Sequence, residues 1–311
     1  MSNVTIASSL NNCKFIHHQY PLIPCPECGK ILPPDIEITI ENLKGSKLQC
    51  HECNSSLDWW IILLNAVKQL SPLKALAPIG ARSTIFSITL YPLTPILIKL
   101  TDYGVPSDSK LLAISYTPQG ESLFPTQSWG YIAHRQLIPH EFTIYPVSRH
   151  AEPKETEVGV WVVWVPHTAD DEAWQRLVQG FEFYNTDQYD SAIINTNIAV
   201  ESKLGRLLFT FMHSVSHISK ERIENFLQDG ATYGHQLNVI LPLITYFKGF
   251  PKLQDEFRGL LNRLKKTRDK LVHEGRLEKV LQKDETAEMI SAALFGFRYL
   301  ELLEKELTGI S

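Results

Sequence analysis

The spacing of apolar positions changes along the chain. Between Ser83 and His167 they come in short runs rich in β-branched and aromatic residues: TIFSITLYP, ILIKL, KLLAISYTP, FTIYPV and GVWVVWVP. Each run is bounded by Pro, Gly, Ser or Asp, the pattern of strands separated by turns. Proline is frequent here, which predicts short or edge strands, because proline has no N–H to donate to a ladder. A small β-sandwich or barrel-like module is expected. After Pro166 the period becomes helical. Thr168, Asp170 and Asp171 read as a helix start. From Glu172 to Leu307 the pattern fits four or five helices in an antiparallel bundle, punctuated near Gly230, Gly234, Pro242, Pro251 and Gly275. No internal repeat is visible. The stretch SPLKALAPIGAR, after the first 70 residues, reads as a linker.

Composition fits this division. A chain of 311 residues exceeds one ordinary core, and 44% hydrophobic against 21% charged residues describes a globular protein. The net charge of −4 excludes a histone-like global attraction to nucleic acid but leaves room for a local basic patch. The opening MSNVTIASSLNNCKF has neither a basic start nor a continuous apolar core, unlike a secretory leader. The longest apolar run, near WWIILLNAV, is far shorter than the roughly 20 residues that span a bilayer. A soluble, cytoplasmic protein with no membrane partner is expected.

Four of the five cysteines form two C-x-x-C pairs, CPECGK and CHEC, with 21 residues between them and a β-like IEITI in the gap. Each pair lets two thiolates reach one ion from a tight turn, and Gly29 suits the backbone after the first pair. Cys25, Cys28, Cys50 and Cys53 therefore predict one tetrahedral, structural zinc site in a small ribbon, with no open coordination position for catalysis. Metal binding would supply much of the ribbon's folding free energy. His51 reads as a neighbouring or exposed residue and Cys13 as a bystander thiol. Trp59 and Trp60 read as a buried anchor, with base stacking as the alternative. The expected organisation is multidomain α+β: a zinc ribbon over 1–70, the β-rich module over 71–168 and an all-α bundle over 169–311.

One arginine breaks the helical pattern. In PKLQDEFRGLLNRLKKTRDKLVHEG, stepping 100° per residue from Phe257 puts Leu260, Leu261, Leu264, Leu271 and Val272 within about 60° of it. Arg268 falls near 20°, inside that stripe, whereas Arg263, Lys266 and Lys270 fall on the opposite side. A guanidinium on a buried stripe costs several kcal/mol unless it is paired or lines a cavity. Three readings follow: a paired core arginine, an interface arginine, or the wall of an anion-binding cleft.

The string RDKLVHEG, an R-x4-H motif with an acid after the arginine, follows the upstream pair FEFYNTDQYDSAIINTNIAVESKL, in which Tyr189, Ala192, Ala199 and Glu201 form a Tyr-x-x-Ala step and an Ala-x-Glu. Together these residues, within about Asp171 to Leu307, resemble the HEPN superfamily of nucleotide-binding helical domains. The resemblance implies a four- or five-helix bundle that dimerises, and a metal-independent ribonuclease of the kind found in toxin–antitoxin, abortive-infection and CRISPR-linked defence. It implies Arg268 and His273 as the catalytic pair, with Asp269 in the polar position after the arginine. RNA, a second copy, and a protein trigger or antitoxin are the implied partners. The tyrosine that some subfamilies carry after the histidine is replaced here by Glu274 and Gly275. A non-catalytic HEPN-like adaptor that binds nucleic acid or protein is the rival expectation.

The chemistry suits these residues. Imidazole titrates near neutrality, so His273 can move a proton to or from the reacting oxygens. A fixed guanidinium stabilises the extra charge on the phosphorane. On a regular helix, five residues turn through about 500°, so Arg268 and His273 point about 140° apart. Either a loosened last turn near Gly275 or two chains meeting at one cleft would bring the types together. From Pro251 to Lys283 ten Lys and Arg face five Asp and Glu, so Arg263, Lys266 and Lys270 are candidate RNA contacts or simply a solvated face. Glu201 is a candidate partner for Arg268 or a plain surface acid. His213 and His217, spaced i, i+4, read as ordinary histidines. No phosphate-loop or nucleophile-elbow pattern is present.

Overall fold

The computed structural model describes residues 7–8, 16–32, 42, 48–119, 122–127, 139–148, 150–166, 172–216, 218–274 and 280–308. The predicted IEITI strand, Cys13, the helix start at Thr168, Asp170 and Asp171, His217 and Gly275 lie outside them. The protein is mixed α and β and forms two compact units. One comprises Met1–Leu22 with Pro72–Ala169, the other Ile23–Ser71 with Asp170–Ser311. The division differs from the three consecutive segments read along the sequence: the cysteine segment belongs with the helices.

The first unit holds eight strands among the described residues: β1 (Ala7–Ser8), β2 (Ile16–Gln19), β3 (Arg82–Leu90), β4 (Ile96–Lys99), β5 (Lys110–Gln119), β6 (Leu123–Gln127), β7 (Glu141–Ser148) and β8 (Thr156–Val165). They form two four-stranded sheets, ordered β1-β4-β7-β6 and β2-β3-β8-β5. The long pair β3–β8 runs antiparallel from Arg82↔Trp164 to Leu90↔Thr156. Alternate residues of both sheets point into one core, with Phe86, Ile88, Val160 and Val162 from one and Ile96, Ile98, Phe142 and Ile144 from the other. Phe86 stacks on Tyr103 with ring centroids 3.7 Å apart.

The predicted linker is instead packed structure. α2 (Pro72–Ala75) and a 3₁₀ turn (Ala77–Ile79) bury Ala75, Leu76, Ala77 and Ile79. The Pro and Gly that suggested a linker shape a turn: Pro78 lies in the 3₁₀ segment, and Gly80 ends it at φ 89°.

In the second unit, α1 (Trp59–Lys68) follows the cysteines; Asp58 caps it by accepting the Ile61 amide at 3.2 Å. The helical region comprises α3 (Glu172–Asn185), α4 (Tyr189–Val215) and α5 (Lys220–Asn225), which runs on as a π-helical turn, Phe226–Gly230. Next come α6 (Tyr233–His235), a second π-helical turn (Gln236–Ile240), α7 (Leu241–Lys248), α8 (Asp255–His273) and α9 (Lys283–Thr308). Pro242 does not end its helix; it occupies the first turn of α7, directly after the π-helical turn, where its missing N–H is tolerated. α3 and α4 approach closely because Gly180 has no side chain: a Cβ there would lie 2.3 Å from Thr196 Cγ2. α9 is buried nearly all round between Thr286 and Leu303, as expected of a central helix. Around it, Phe295 stacks on Phe257 of α8 at 4.2 Å, and Lys68 of α1 pairs with Asp284 at 3.1 Å. Trp59 is buried, and Trp60 meets Phe257 edge-on at 5.0 Å. The tryptophans therefore anchor the cysteine segment to the helices within this unit.

Candidate functional site

The four predicted ligands converge. The sulfurs of Cys25, Cys28, Cys50 and Cys53 lie within 4.8 Å of one another, with Cys25–Cys53 at 3.8 Å and Cys28–Cys50 at 3.6 Å. A tetrahedron of sulfurs about 2.3 Å from a central ion has edges of about 3.8 Å, so the spacing fits a four-thiolate metal. The two knuckles repeat one backbone design. The Gly29 amide bonds Cys25 O at 2.9 Å and the Cys25 amide bonds Lys30 O at 2.7 Å; Asn54 and Cys50 do the same at 2.9 and 3.0 Å, to Cys50 O and Ser55 O. Both knuckles need a left-handed residue after the second cysteine, Gly29 at φ 72° and Asn54 at φ 57°. Sequence reading identified Gly29 and missed Asn54, although the aligned C-x-x-C-G and C-x-x-C-N strings carry the signal.

The thiols have unequal environments. The Ser55 hydroxyl, 3.5 Å from Cys25 Sγ and 3.0 Å from Cys53 Sγ, holds both low, Cys25 at about 6. At Cys28 the Lys30 amide pulls downward, but burial and hydrogen bonds shared with the other sulfurs push it up to about 12. Four sulfurs this close cannot all be anionic unless a cation sits among them, and that requirement matches a divalent metal. His51 lies outside the cluster, exposed beside Glu52 at 3.6 Å.

The second candidate lies on α8. Phe257, Leu261 and Leu264 are buried as the stripe predicts, Leu260 and Leu271 are half-buried, and Val272 is 48% exposed. Among the described residues the stripe thus loses its cover at its C-terminal end, at Val272. Arg268, within the stripe, is half-buried. Its Nη1 donates to Asp269 Oδ1 at 2.9 Å, and its Nε is buried without a hydrogen-bond partner. Among the described residues its one ion-pair partner is its own neighbour, so Arg268 clamps no second helix. Burial pulls the Asp269 carboxyl up, but hydrogen bonds from Arg268 and Lys265 outweigh it and hold the carboxyl below its usual value.

Lys265 is the residue that sequence reading passed over. Its Nζ bridges Asp269 at 3.0 Å and Glu201 of α4 at 3.3 Å, and it lies 5.9 Å from the Tyr233 ring centre. Glu201 also accepts from Asn197 Nδ2 at 3.1 Å. Glu201 therefore reaches Arg268 only through Lys265 and Asp269, not directly as one reading had it. Tyr233 is buried, and burial plus the Glu201 charge keep its hydroxyl protonated far above neutrality.

His273, the last residue of α8, is exposed, and no hydrogen bond to its side chain occurs among the described residues. The helix is regular through His273, so the last turn does not loosen before it, and Arg268 and His273 keep the divergent directions of a straight helix. Arg263 pairs with Glu285, and with Glu288 at 3.6 Å, tying α8 to α9. Lys266 and Lys270 are exposed. His213 stacks on Phe209 at 5.9 Å. Among the described residues, no helix is long and apolar enough to cross a membrane.

Comparison with family models, curated proteins and solved structures gives no match.

Proposed function

We propose that this protein is a metal-independent endoribonuclease of HEPN type, acting as a defence or toxin effector, with the cysteine segment and the β unit serving recognition of RNA, trigger or antitoxin. The observation that carries the reading is the state of Arg268. A half-buried guanidinium normally repays its desolvation by bridging elements. Among the described residues this one is tied only to Asp269 on the same helix and keeps an unpartnered Nε. Such a group is held ready for an anion outside the chain. In this reading Asp269 fixes the plane of the guanidinium, Lys265 fixes Asp269, and the guanidinium meets the equatorial oxygens of the phosphorane as the 2′-OH attacks. His273 moves a proton at the attacking or leaving oxygen. Because the two side chains diverge on one helix, the working site takes Arg268 and His273 from both chains of a homodimer, packed through the uncovered end of the α8 stripe. The cysteine cluster holds one structural zinc.

A non-catalytic adaptor is the second reading, and a specific surface favours it. Val239, Leu243, Tyr246 and Phe247 line one helical face and are 50, 51, 80 and 75% exposed. Contiguous exposed apolar residues of this kind mark binding surfaces.

The test uses zinc-loaded protein and RNA without added divalent ions. The enzyme reading expects cleavage by the native chain, with Arg268→Ala and His273→Ala each losing on the order of 100- to 1,000-fold in rate at unchanged melting temperature. Binding of RNA without cleavage under every condition rejects the enzyme and leaves the adaptor.

A further inference from the structure

We infer that the cleft between α4 and the α5–α6 corner binds a small organic cation that carries ammonium or guanidinium groups, singly or together, on a short apolar body. The cleft measures ≈ 530 Å³, a size typical of small-molecule sites, which span about 300–1,000 Å³. One wall is a single face of α4, with Glu201, Gly205, Arg206 and Phe209. The facing wall brings Glu224 and Leu227, closed at the corner by Tyr233 and Gln236.

Three features argue that the cleft is built and not incidental. Gly205 lies inside a 27-residue helix, where glycine is the poorest former after proline. Among the described residues nothing lies within 4 Å of where its Cβ would be, so no packing there demands it. Its effect is to open the cleft floor down to the helix backbone. The facing wall contains both π-helical turns, Phe226–Gly230 and Gln236–Ile240. Such turns are rare and recur at functional sites. The corner is also pinned before any ligand arrives: buried Gln236 donates through Nε2 to Leu227 O and Ala231 O, both at 2.8 Å.

The lining charges choose the ligand. Arg206 supplies the guanidinium of the lining, and it is turned to Glu304, with Nε 3.6 Å from Oε1. Glu201 already takes Lys265 on one oxygen and Asn197 on the other. Glu224 is exposed and has no ion-pair partner among the described residues. The uncompensated charge facing the cleft is therefore a carboxylate. Phe209 and Leu227 supply apolar walls, and an aromatic face adds attraction for a cation. The inference does not depend on RNA cleavage, and it is read without RNA.

Calorimetric titration of the zinc-loaded full chain with agmatine tests it, with 1,4-butanediol as the neutral analogue and adenosine monophosphate as the anion. One agmatine per chain is expected, with at least tenfold weaker binding of the other two. Gly205→Leu fills the open floor and raises helix propensity, so it should fold as the native chain does and lose agmatine affinity by tenfold or more. Glu224→Gln, on an exposed side chain, should weaken agmatine by about tenfold, as expected for loss of a charge-assisted contact. Undiminished agmatine binding in Glu224→Gln overturns the inference, as does equal or tighter binding of the diol or the nucleotide, or no binding of agmatine at millimolar concentration. If Gly205→Leu proves destabilised, Glu224→Gln decides.

Discussion

Asn54, Leu70, Leu93 and Asp187 take positive φ without being glycine. Asn and Asp tolerate that conformation through short polar side chains; leucine does not. Leu93 follows Pro92 in the turn closed by the Thr94 amide on Tyr91 O at 3.2 Å, and such a turn wants glycine at this position. At 92% exposure its side chain gains no burial among the described residues that would repay the strain. Leu93→Gly should therefore stabilise by about 1 kcal/mol, seen as a higher urea midpoint at constant slope; a lower midpoint contradicts the turn assignment. Asp269 gives a pH signature. Its folded-state value lies below the ordinary 3.8, so its contribution is complete above the unfolded value and is lost as pH falls through the folded one. The melting-temperature gap between native protein and Asp269→Asn should be constant from neutrality to about pH 4 and shrink in stronger acid. A gap that is flat into strong acid removes Asp269 from the Arg268–Lys265 cluster. At this scale the sequence showed the four cysteines because their spacing is itself the chemistry. It hid Lys265, whose partners Glu201 and Tyr233 lie on other elements far away in the chain.

Strands β3, β4, β5, β7 and β8 were readable because their runs are rich in β-branched and other apolar residues. β6 was not, because Leu123–Gln127 has Thr126 as its one β-branched residue and carries Pro125; the structure admits it as the edge of its sheet, where a missing N–H costs no ladder bond. β1 and β2 were not readable either, since each pairs with a strand remote in sequence. On α8 the stripe was correct for its first turns and overstated at Val272. Periodicity reports which face could be buried, not where covering elements end. Buried ion pairs between helices are likewise silent in sequence. Lys203 of α4, only 4% exposed, bonds Glu304 of α9 at 2.6 Å. Removing one partner of such a pair leaves an uncompensated buried charge. Glu304→Gln should cost about 3 kcal/mol in chemical denaturation, and a loss under about 0.5 kcal/mol would place the pair among exposed bridges of little worth.

At the scale of the whole molecule, the cysteine segment, α1 and the helices form one compact unit, so a metal held by the four cysteines should share its stability with the helices. Chelating the metal, or Cys50→Ser, should lower zinc content and also the melting temperature of the helical circular-dichroism signal, because Trp59 and Trp60 transmit the loss to α8 and α9. A helical transition indifferent to zinc would separate the cysteine segment from the helices. The central claim is that Arg268 waits for a phosphate and His273 moves the proton that lets the 2′-OH cut the chain. The 3′ ends of RNA incubated with zinc-loaded protein, without added divalent ions, test this most directly. The account expects 2′,3′-cyclic phosphate ends from the native chain and none from Arg268→Ala or His273→Ala at unchanged melting temperature; intact RNA with the native protein, or equal cleavage by the variants, contradicts it.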